Sequence, residues 1–262
     1  MKLFERCIKL KVGETNIIGL DIAFEINKNL KSEANTCEVK ILNLSLKNRE
    51  ILSSYKRVPV ILEAGYKDFL QPIFVGDMCN IFCQKEGPDI TTILSVGDGL
   101  NKIQTSRIKK TYAKDTPVKD VVQDLAKSLK LPLNSPLNQL KTMLTKGLSL
   151  SGNSMLELER LLKSQKFSVS VQDNSLQVLK HGESLVKEAI VLNTNSGLIS
   201  SPEFNQNNLL TLKCLLMPEL KPGLSLYIDS LIFKGLTIIQ SVKFEGSTYD
   251  ENWFSEVEAR VV

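Results

Sequence analysis

The hydrophobic period of this 262-residue chain changes twice, and that change limits what the chain can become. Over residues 1–106 apolar and polar residues alternate in short runs, the period of half-buried strands. Over residues 107–187 the apolar residues fall instead on helical faces. Over residues 188–262 the alternation returns. The expectation is a mainly β protein with an α+β insert: two β blocks of unequal length flanking a small domain of two helices and a hairpin.

In the first block Cys7–Val12, Leu20–Ile26, Cys37–Leu42, Val58–Ala64, Pro72–Phe82 and Asp89–Val96 read as strands, with a short helix over Leu46–Tyr55 capped by Ser45. The turn Gly65-Tyr66-Lys67-Asp68 stops the fourth strand, and Gly97-Asp98-Gly99 closes the block as a turn. Short strands at roughly ten-residue spacing suggest a barrel or a sandwich. In the insert, Thr116 and Pro117 are expected as N-cap and first residue of a helix. Its apolar face is Val118, Val121, Val122, Leu125, Ala126 and Leu129. Ser154-Met155-Leu156-Glu157 matches a capping box, opening a second helix with Met155, Leu158, Leu161 and Leu162 on its apolar face. Phe167, Val169 and Val171, then Leu176 and Val178, alternate about Asp173-Asn174 as a hairpin. The second block reads as strands at Ile190–Asn193, Leu209–Leu216, Leu224–Ile228, Leu236–Phe244 and Trp253–Val261.

A hydrophobic content of 42% supports a sizeable core. The formal net charge is +4, too balanced to mark a nucleic-acid binder, but it is unevenly spread. Residues 1–100 hold 13 basic and 13 acidic side chains, residues 101–188 hold 15 and 8, and residues 189–262 hold 5 and 8. The middle is therefore +7 and the last segment −3, a composition shift that marks the insert. Five scattered cysteines argue against a disulfide framework and for a reducing compartment. The first residues, MKLFERCIKLKVG, interrupt their apolar residues with charge too often for a signal peptide, and no run approaches the ~20 apolar residues of a membrane span. Synthesis in a cytosol is expected.

Residues that could carry chemistry are few. The single histidine, His181, precedes Gly182 at the end of the hairpin and reads as an exposed loop residue. Cys79 and Cys83 would stand about 13 Å apart on a strand, too far to share one zinc. Together with Ile81 they are expected as one buried face. Gly97-Asp98-Gly99 lacks the spacing and the lysine of a phosphate loop. No carboxylates are paired by spacing. No catalytic, metal-binding or cofactor-binding residue is assigned, and no cofactor is expected. The basic insert, with Lys109, Lys110 and Lys114 at its start, could contact phosphate or an acidic partner. Tyr112 and Phe167 are its only aromatic residues near these charges, which weakens a single-strand-binding reading.

Five pieces in order carry a resemblance. They are Phe24-Glu25-Ile26 with Asn35-Thr36-Cys37-Glu38-Val39-Lys40-Ile41-Leu42-Asn43-Leu44-Ser45; Glu63-Ala64-Gly65-Tyr66 with Ile73-Phe74-Val75-Gly76-Asp77; the helix-plus-hairpin insert; Ser196-Gly197-Leu198-Ile199-Ser200-Ser201-Pro202 with Leu215-Leu216-Met217-Pro218 and Lys221-Pro222-Gly223; and the loop from Gly246 to Trp253. In these the chain resembles bacteriophage contractile-tail baseplate hub proteins, also found in phage-derived injection machines. It departs from them at Gly246-Ser247, where the family often has Gly-Asp. The resemblance implies a homotrimer whose protomers each give two β-barrel-like tube domains, residues 1–106 and 188–262, to a ring of pseudo-sixfold symmetry. Such a ring adapts a hexameric tail tube protein to a trimeric spike protein. DNA passes through its channel without specific binding, and the insert, residues 107–187, faces baseplate wedge proteins. The expected place is the virion tail baseplate, after synthesis in the bacterial host cytoplasm. Three other readings stand beside it. One is a tail-associated cell-wall hydrolase. The second is a nucleic-acid-binding module built on the insert. The last is the hub portion of a type VI secretion-like spike, which would be expected to continue beyond Val262.

Overall fold

Alternation in Arg6–Val12 places Ile8, Leu10 and Val12 on one buried face, and this strand, β1, begins the sheet. The computed structural model describes residues 5–67, 69–135, 137–186 and 188–262. Asp68 of the expected first turn and Lys187 at the expected edge of the insert lie outside the described residues. After β1 come β2 (Thr15–Ile17), β3 (Ile22–Asn29), β4 (Thr36–Leu42), α1 (Leu46–Ser54), β5 (Pro59–Tyr66), β6 (Phe69–Glu86), β7 (Asp89–Gly97) and α2 (Leu100–Thr105). The insert comprises β8 (Arg107–Tyr112), α3 (Val118–Leu129), β9 (Leu148–Asn153), α4 (Ser154–Lys163), β10 (Phe167–Gln172) and β11 (Ser175–Lys180). Then follow β12 (Ala189–Asn193), β13 (Glu203–Phe204), β14 (Leu210–Leu215), β15 (Ser225–Asp229), β16 (Lys234–Ser247) and β17 (Trp253–Val261).

The helix starts show which local signals hold. Ser45 caps α1, accepting from the Asn48 N–H at 3.3 Å. The third helix begins one residue later than expected. Pro117 is its N-cap in an extended conformation, and the Thr116 hydroxyl turns back to the Ala113 carbonyl. All six expected apolar residues of α3 are buried. The capping box at Ser154 does not form. Asn153, one position earlier, accepts from the N–H groups of Met155 and Leu156, while Glu157 pairs with Arg160 at 2.6 Å. An amide side chain reached the same orphan donors first. The expected elements miss β2, α2, β13 and the β8–β9 pair. Arg-Ile-Lys-Lys-Thr-Tyr carries three basic side chains in six residues, so β8 has little apolar alternation to read.

Thirteen strands share one sheet in the order β13-β14-β17-β16-β3-β4-β7-β6-β5-β1-β2, with β12 and β15 joined to it through β16. Its ladders are antiparallel except the parallel β12–β15 pair. The two β blocks meet in the β3–β16 ladder, from Asn29 opposite Ser241 to Ala23 opposite Ser247. One hydrophobic core runs through both blocks, from Ile8 and Phe74 to Phe244 and Trp253, and the insert has a second core of its own. The row is open, and among the described residues no ladder closes it into a barrel.

Two long strands turn the sheet. The first half of β6 pairs with β5 as far as Asp77, and the second half pairs with β7 from Asp77 to Glu86. Likewise β16 gives its start to β15 and its end to β3. The bend in β6 overturns the expectation of a buried Cys79-Ile81-Cys83 face. Both cysteines are exposed and Ile81 is half-buried. A register shift between Met78 and Asn80 puts Cys79 in a bulge, and beyond it β6 has left β5 and runs out past the core.

Candidate channel face and the insert junction

Alternation sends one face of the central strands into the core and the other into solvent. On the outward face β3, β4, β16, β17 and β14 present Glu25, Glu38, Glu245, Glu256 and Glu258 against Lys40, Lys213, Lys243 and Arg260. Ion pairs within and between strands engage the lysines. Lys243 meets Glu245 at 2.6 Å and Glu25 at 3.4 Å, Lys213 meets Glu256 at 3.6 Å, and Lys40 meets Glu38 at 3.4 Å. Ser241 donates to Glu258 at 2.6 Å. The Asn27 hydrogen bond and the Lys243 ammonium hold Glu25 below its ordinary carboxylate range. A groove of about 880 Å³ runs over β3, β16, β17 and β14 and is lined by these polar side chains. Among the described residues that line it, Lys28, Lys213 and Lys243 are each engaged in an ion pair, which leaves no cluster of unpaired cations to capture a phosphate backbone.

Gly97-Asp98-Gly99 is a docking turn. The buried Asp98 carboxylate accepts from the N–H groups of Asp173 at 2.7 Å and Asn174 at 2.6 Å, the tip of the β10–β11 hairpin. Both tip residues have positive φ, as a two-residue hairpin turn requires. Gly99 has φ +63°, and a Cβ there would stand 3.0 Å from Val171 of the same hairpin. Asn35 clamps the contact, donating to the Val171 carbonyl at 2.7 Å and to Gln172 at 3.0 Å. Lys28, on the core side of β3, reaches Asp173 at 2.7 Å, and Lys221 reaches it at 2.9 Å. The insert is thus tied to both β blocks through one hairpin tip. Burial pushes Asp98 up to about 6. Burial also acts to raise Asp173, but Lys28 and Lys221 outweigh it and hold that carboxyl below its usual value.

The other residues singled out by sequence separate in space. Lys109 and Lys110 are exposed on β8, and Lys114 is exposed in the turn that follows. Lys110 is engaged within the insert, 2.5 Å from Asp124 and 5.2 Å above the Tyr112 ring. His181 is exposed. Among the described residues no group of three or more His, Cys, Asp or Glu could hold a metal ion. Ser247, where the resembling family often has Asp, is buried and accepts from the N–H groups of Tyr249 and Asp250. It performs the turn-closing role an aspartate would, so that departure is chemically small. Trp253 beyond it packs edge-to-face on Phe24 and Tyr66, joining the last strand to the first block. The Asp98 junction was hidden in the sequence, because its partners lie about 75 residues away and are main-chain atoms.

This fold is shared with solved structures of phage tail proteins and of a type VI secretion component. The chain superimposes on the 43 kDa tail protein of prophage MuSo2 from Shewanella oneidensis with a TM-score of 0.73, at 10% identity over 97% of this chain and 96% of that one. On the tail protein from Neisseria meningitidis MC58 the TM-score is 0.72, at 12% identity over 98% and 96%. An E. coli component of the type VI secretion system, described as similar to T4 bacteriophage tail proteins gp27 and gp5, gives 0.68 at 11% identity over 97% and 77%. At the level of sequence, residues 7–259 match the family model of the baseplate hub gp41, and the chain belongs to that family. It is a structural component of a phage-type tail, at the baseplate. No curated protein sequence matches it.

Proposed function

We propose that the protein is the hub of a contractile-tail baseplate, three copies forming a ring that adapts a hexameric tail tube to a trimeric spike. The match to the baseplate hub family over residues 7–259 carries this reading. In the ring each copy offers its two β blocks as barrel-like tube domains, related by pseudo-symmetry so that three chains present six similar units. The role is symmetry matching, without catalysis and without a small-molecule substrate. The polar face over β14, β17, β16, β3 and β4 lines the channel. Its lysines are already paired, so DNA slides past it without specific capture. The insert stands at the periphery and meets baseplate wedge proteins through Lys109 and Lys114, with Lys110 held back by Asp124. The chain is made in the host cytoplasm and ends in the virion tail.

The deciding experiment is the native mass of the purified protein, alone and with its spike protein. A trimer, or three chains with three spike chains, is the expected result. A strict monomer under both conditions, at high concentration and low salt, overturns the ring. The relation to type VI components rests on shared fold, and it supports the hub of a secretion spike as the second reading. Co-purification with a contractile tail tube rather than a secretion tube separates the two.

A further inference from the structure

Outside the large sheet the insert carries two short ladders, β8–β9 and β10–β11. The second is docked, its tip held by Asp98 and most of its side chains buried. The first is covered on one face only. Ile108, Tyr112 and Leu150 enter the core of the insert, whereas Arg107, Lys109, Thr111, Ser149 and Ser151 alternate onto the other face and are exposed. The register sets Lys109 opposite Ser151 and Thr111 opposite Ser149, with the last two hydroxyls 2.8 Å apart. β8 is also an edge. It pairs with β9 alone, and among the described residues no other main-chain hydrogen bond reaches Arg107–Tyr112. Its six residues are at least twice the length of β2 and β13, the three- and two-residue strands that end the large sheet. Short edges offer little to pair with, and this one is long enough to matter.

Charge says what this edge accepts. The β8–β9 ladder carries Arg107, Lys109 and Lys110 and no acid. Lys114 and Lys146 stand exposed in the segments that leave β8 and lead into β9, with Asp115 the nearest carboxylate along the chain. Asp124 engages Lys110, and Arg107 donates to the Gln104 and Ser106 carbonyls. Lys109, Lys114 and Lys146 have no ion-pair partner among the described residues. Two copies laid edge to edge along β8 would set these cations against each other, and like charges on facing strands repel. An acidic strand gains from the same charges, and its main chain takes up the free groups of β8. A nucleic acid would use the cations but leave the main-chain edge idle. The ladder's one aromatic side chain, Tyr112, is buried and offers no base a stacking surface. We propose that the β8 edge is a strand-addition site, on which an extended acidic segment of a partner protein pairs with β8 and lays its carboxylates beside Arg107 and Lys109. This rests on the reading of the insert as the peripheral contact of the hub and deepens it: the wedge segment that docks there is an acidic strand.

The test uses the purified full-length chain and a synthetic peptide of about ten residues that alternates glutamate with valine and threonine. Fluorescence anisotropy of the labelled peptide is expected to show binding that weakens as salt is raised. Hydrogen exchange read by mass spectrometry is expected to slow across residues 107–112 when the peptide is bound. Lys109→Glu, at an exposed position, is expected to weaken binding by about tenfold and to admit a peptide with lysine in place of glutamate, with circular dichroism unchanged. The acidic peptide N-methylated throughout keeps its charges and loses its main-chain donors, and it is expected not to bind. Equal binding of the methylated peptide overturns strand addition, as does slowed exchange only elsewhere on the molecule, or no binding at all. A short DNA duplex that binds this face more tightly than the peptide makes it a nucleic-acid contact and also overturns the proposal. The hub reading fails separately. A monomeric native mass removes the ring and leaves a peptide-binding edge standing, whereas an intact trimer with no protection at β8 removes the edge alone.

Discussion

Asp173→Asn removes the anion that holds Lys28, a side chain only 2% exposed. The charged atoms are 2.7 Å apart. At an effective dielectric constant near 20 such charges attract by roughly 6 kcal/mol before desolvation is subtracted. Asp173 is itself a quarter exposed and shared with Lys221, so the loss falls at the low end of the range for orphaning a buried charge, about 3 kcal/mol. Lys28→Met costs less, about 1 kcal/mol. Asp173 then keeps Lys221, and methionine fills a similar volume beside Phe74. The double variant leaves no orphaned charge and should cost about 1–2 kcal/mol, which makes the pair's interaction energy roughly 2–3 kcal/mol. Urea unfolding of the four proteins at neutral pH measures it. If the two single costs add in the double variant, Lys28 and Asp173 are not coupled, and the account of how the insert is tied to the β blocks is wrong.

Asp98 sits near 6, above its unfolded value, so between about pH 4 and pH 6 the folded protein holds a proton there that the unfolded chain has released. Its contribution, roughly 3 kcal/mol at most, is whole below about pH 4 and is lost as pH rises through about 6. The thermal midpoint should therefore be higher at pH 5 than at pH 7.5, with Asp98→Asn flattening that difference; an equal slope in the variant counts against it. Ser247→Ala leaves two turn N–H groups without their acceptor and should cost about 1–2 kcal/mol by thermal unfolding, whereas Ser247→Asp should be tolerated. Reversing Glu256 and Glu258 to lysine together should create salt-dependent DNA retention in a filter-binding assay that the native protein lacks; equal retention by both would refute the sliding-face argument. Lys109→Glu with Lys114→Glu should weaken co-sedimentation with wedge proteins, and unchanged assembly would remove the insert from that contact.

Much of the fold was legible because its signals are local. The six apolar positions of α3, the Ser45 cap and the Asp173-Asn174 hairpin depend on residues a few places apart, and each lies where its spacing puts it. Local rules failed where a neighbour competed for the same atoms, as Asn153 did for the donors expected to go to Ser154. They also failed at Cys79 and Cys83. Alternation put the two on one face, but it could not show the bulge at Cys79 that breaks the period, nor that β5 would leave β6 at Asp77. The candidate site shows the same division. The basic run at Lys109, Lys110 and Lys114 is plain in the sequence, yet Asp124 engages Lys110 from a helix further on. The outward Glu and Lys positions of the central strands follow from alternation, while the pairs Lys243–Glu25 and Lys213–Glu256 follow from which strands lie side by side.

By itself the sequence determined most of the strands and helices α1, α3 and α4, but not β2, α2, β13 or the β8–β9 pair. Hydrophobic period, turn residues and caps act over a few residues and need no distant partner. Only the tertiary structure decided that the two blocks share one open sheet through β3 and β16, and that β6 parts from β5 at Asp77. It also decided the fate of Lys28. Phe24, Ile26 and Lys28 alternate onto the core side of β3, so the sequence already turns that lysine inward. The anion that makes its burial tolerable stands 145 residues along the chain, and no local pattern names it.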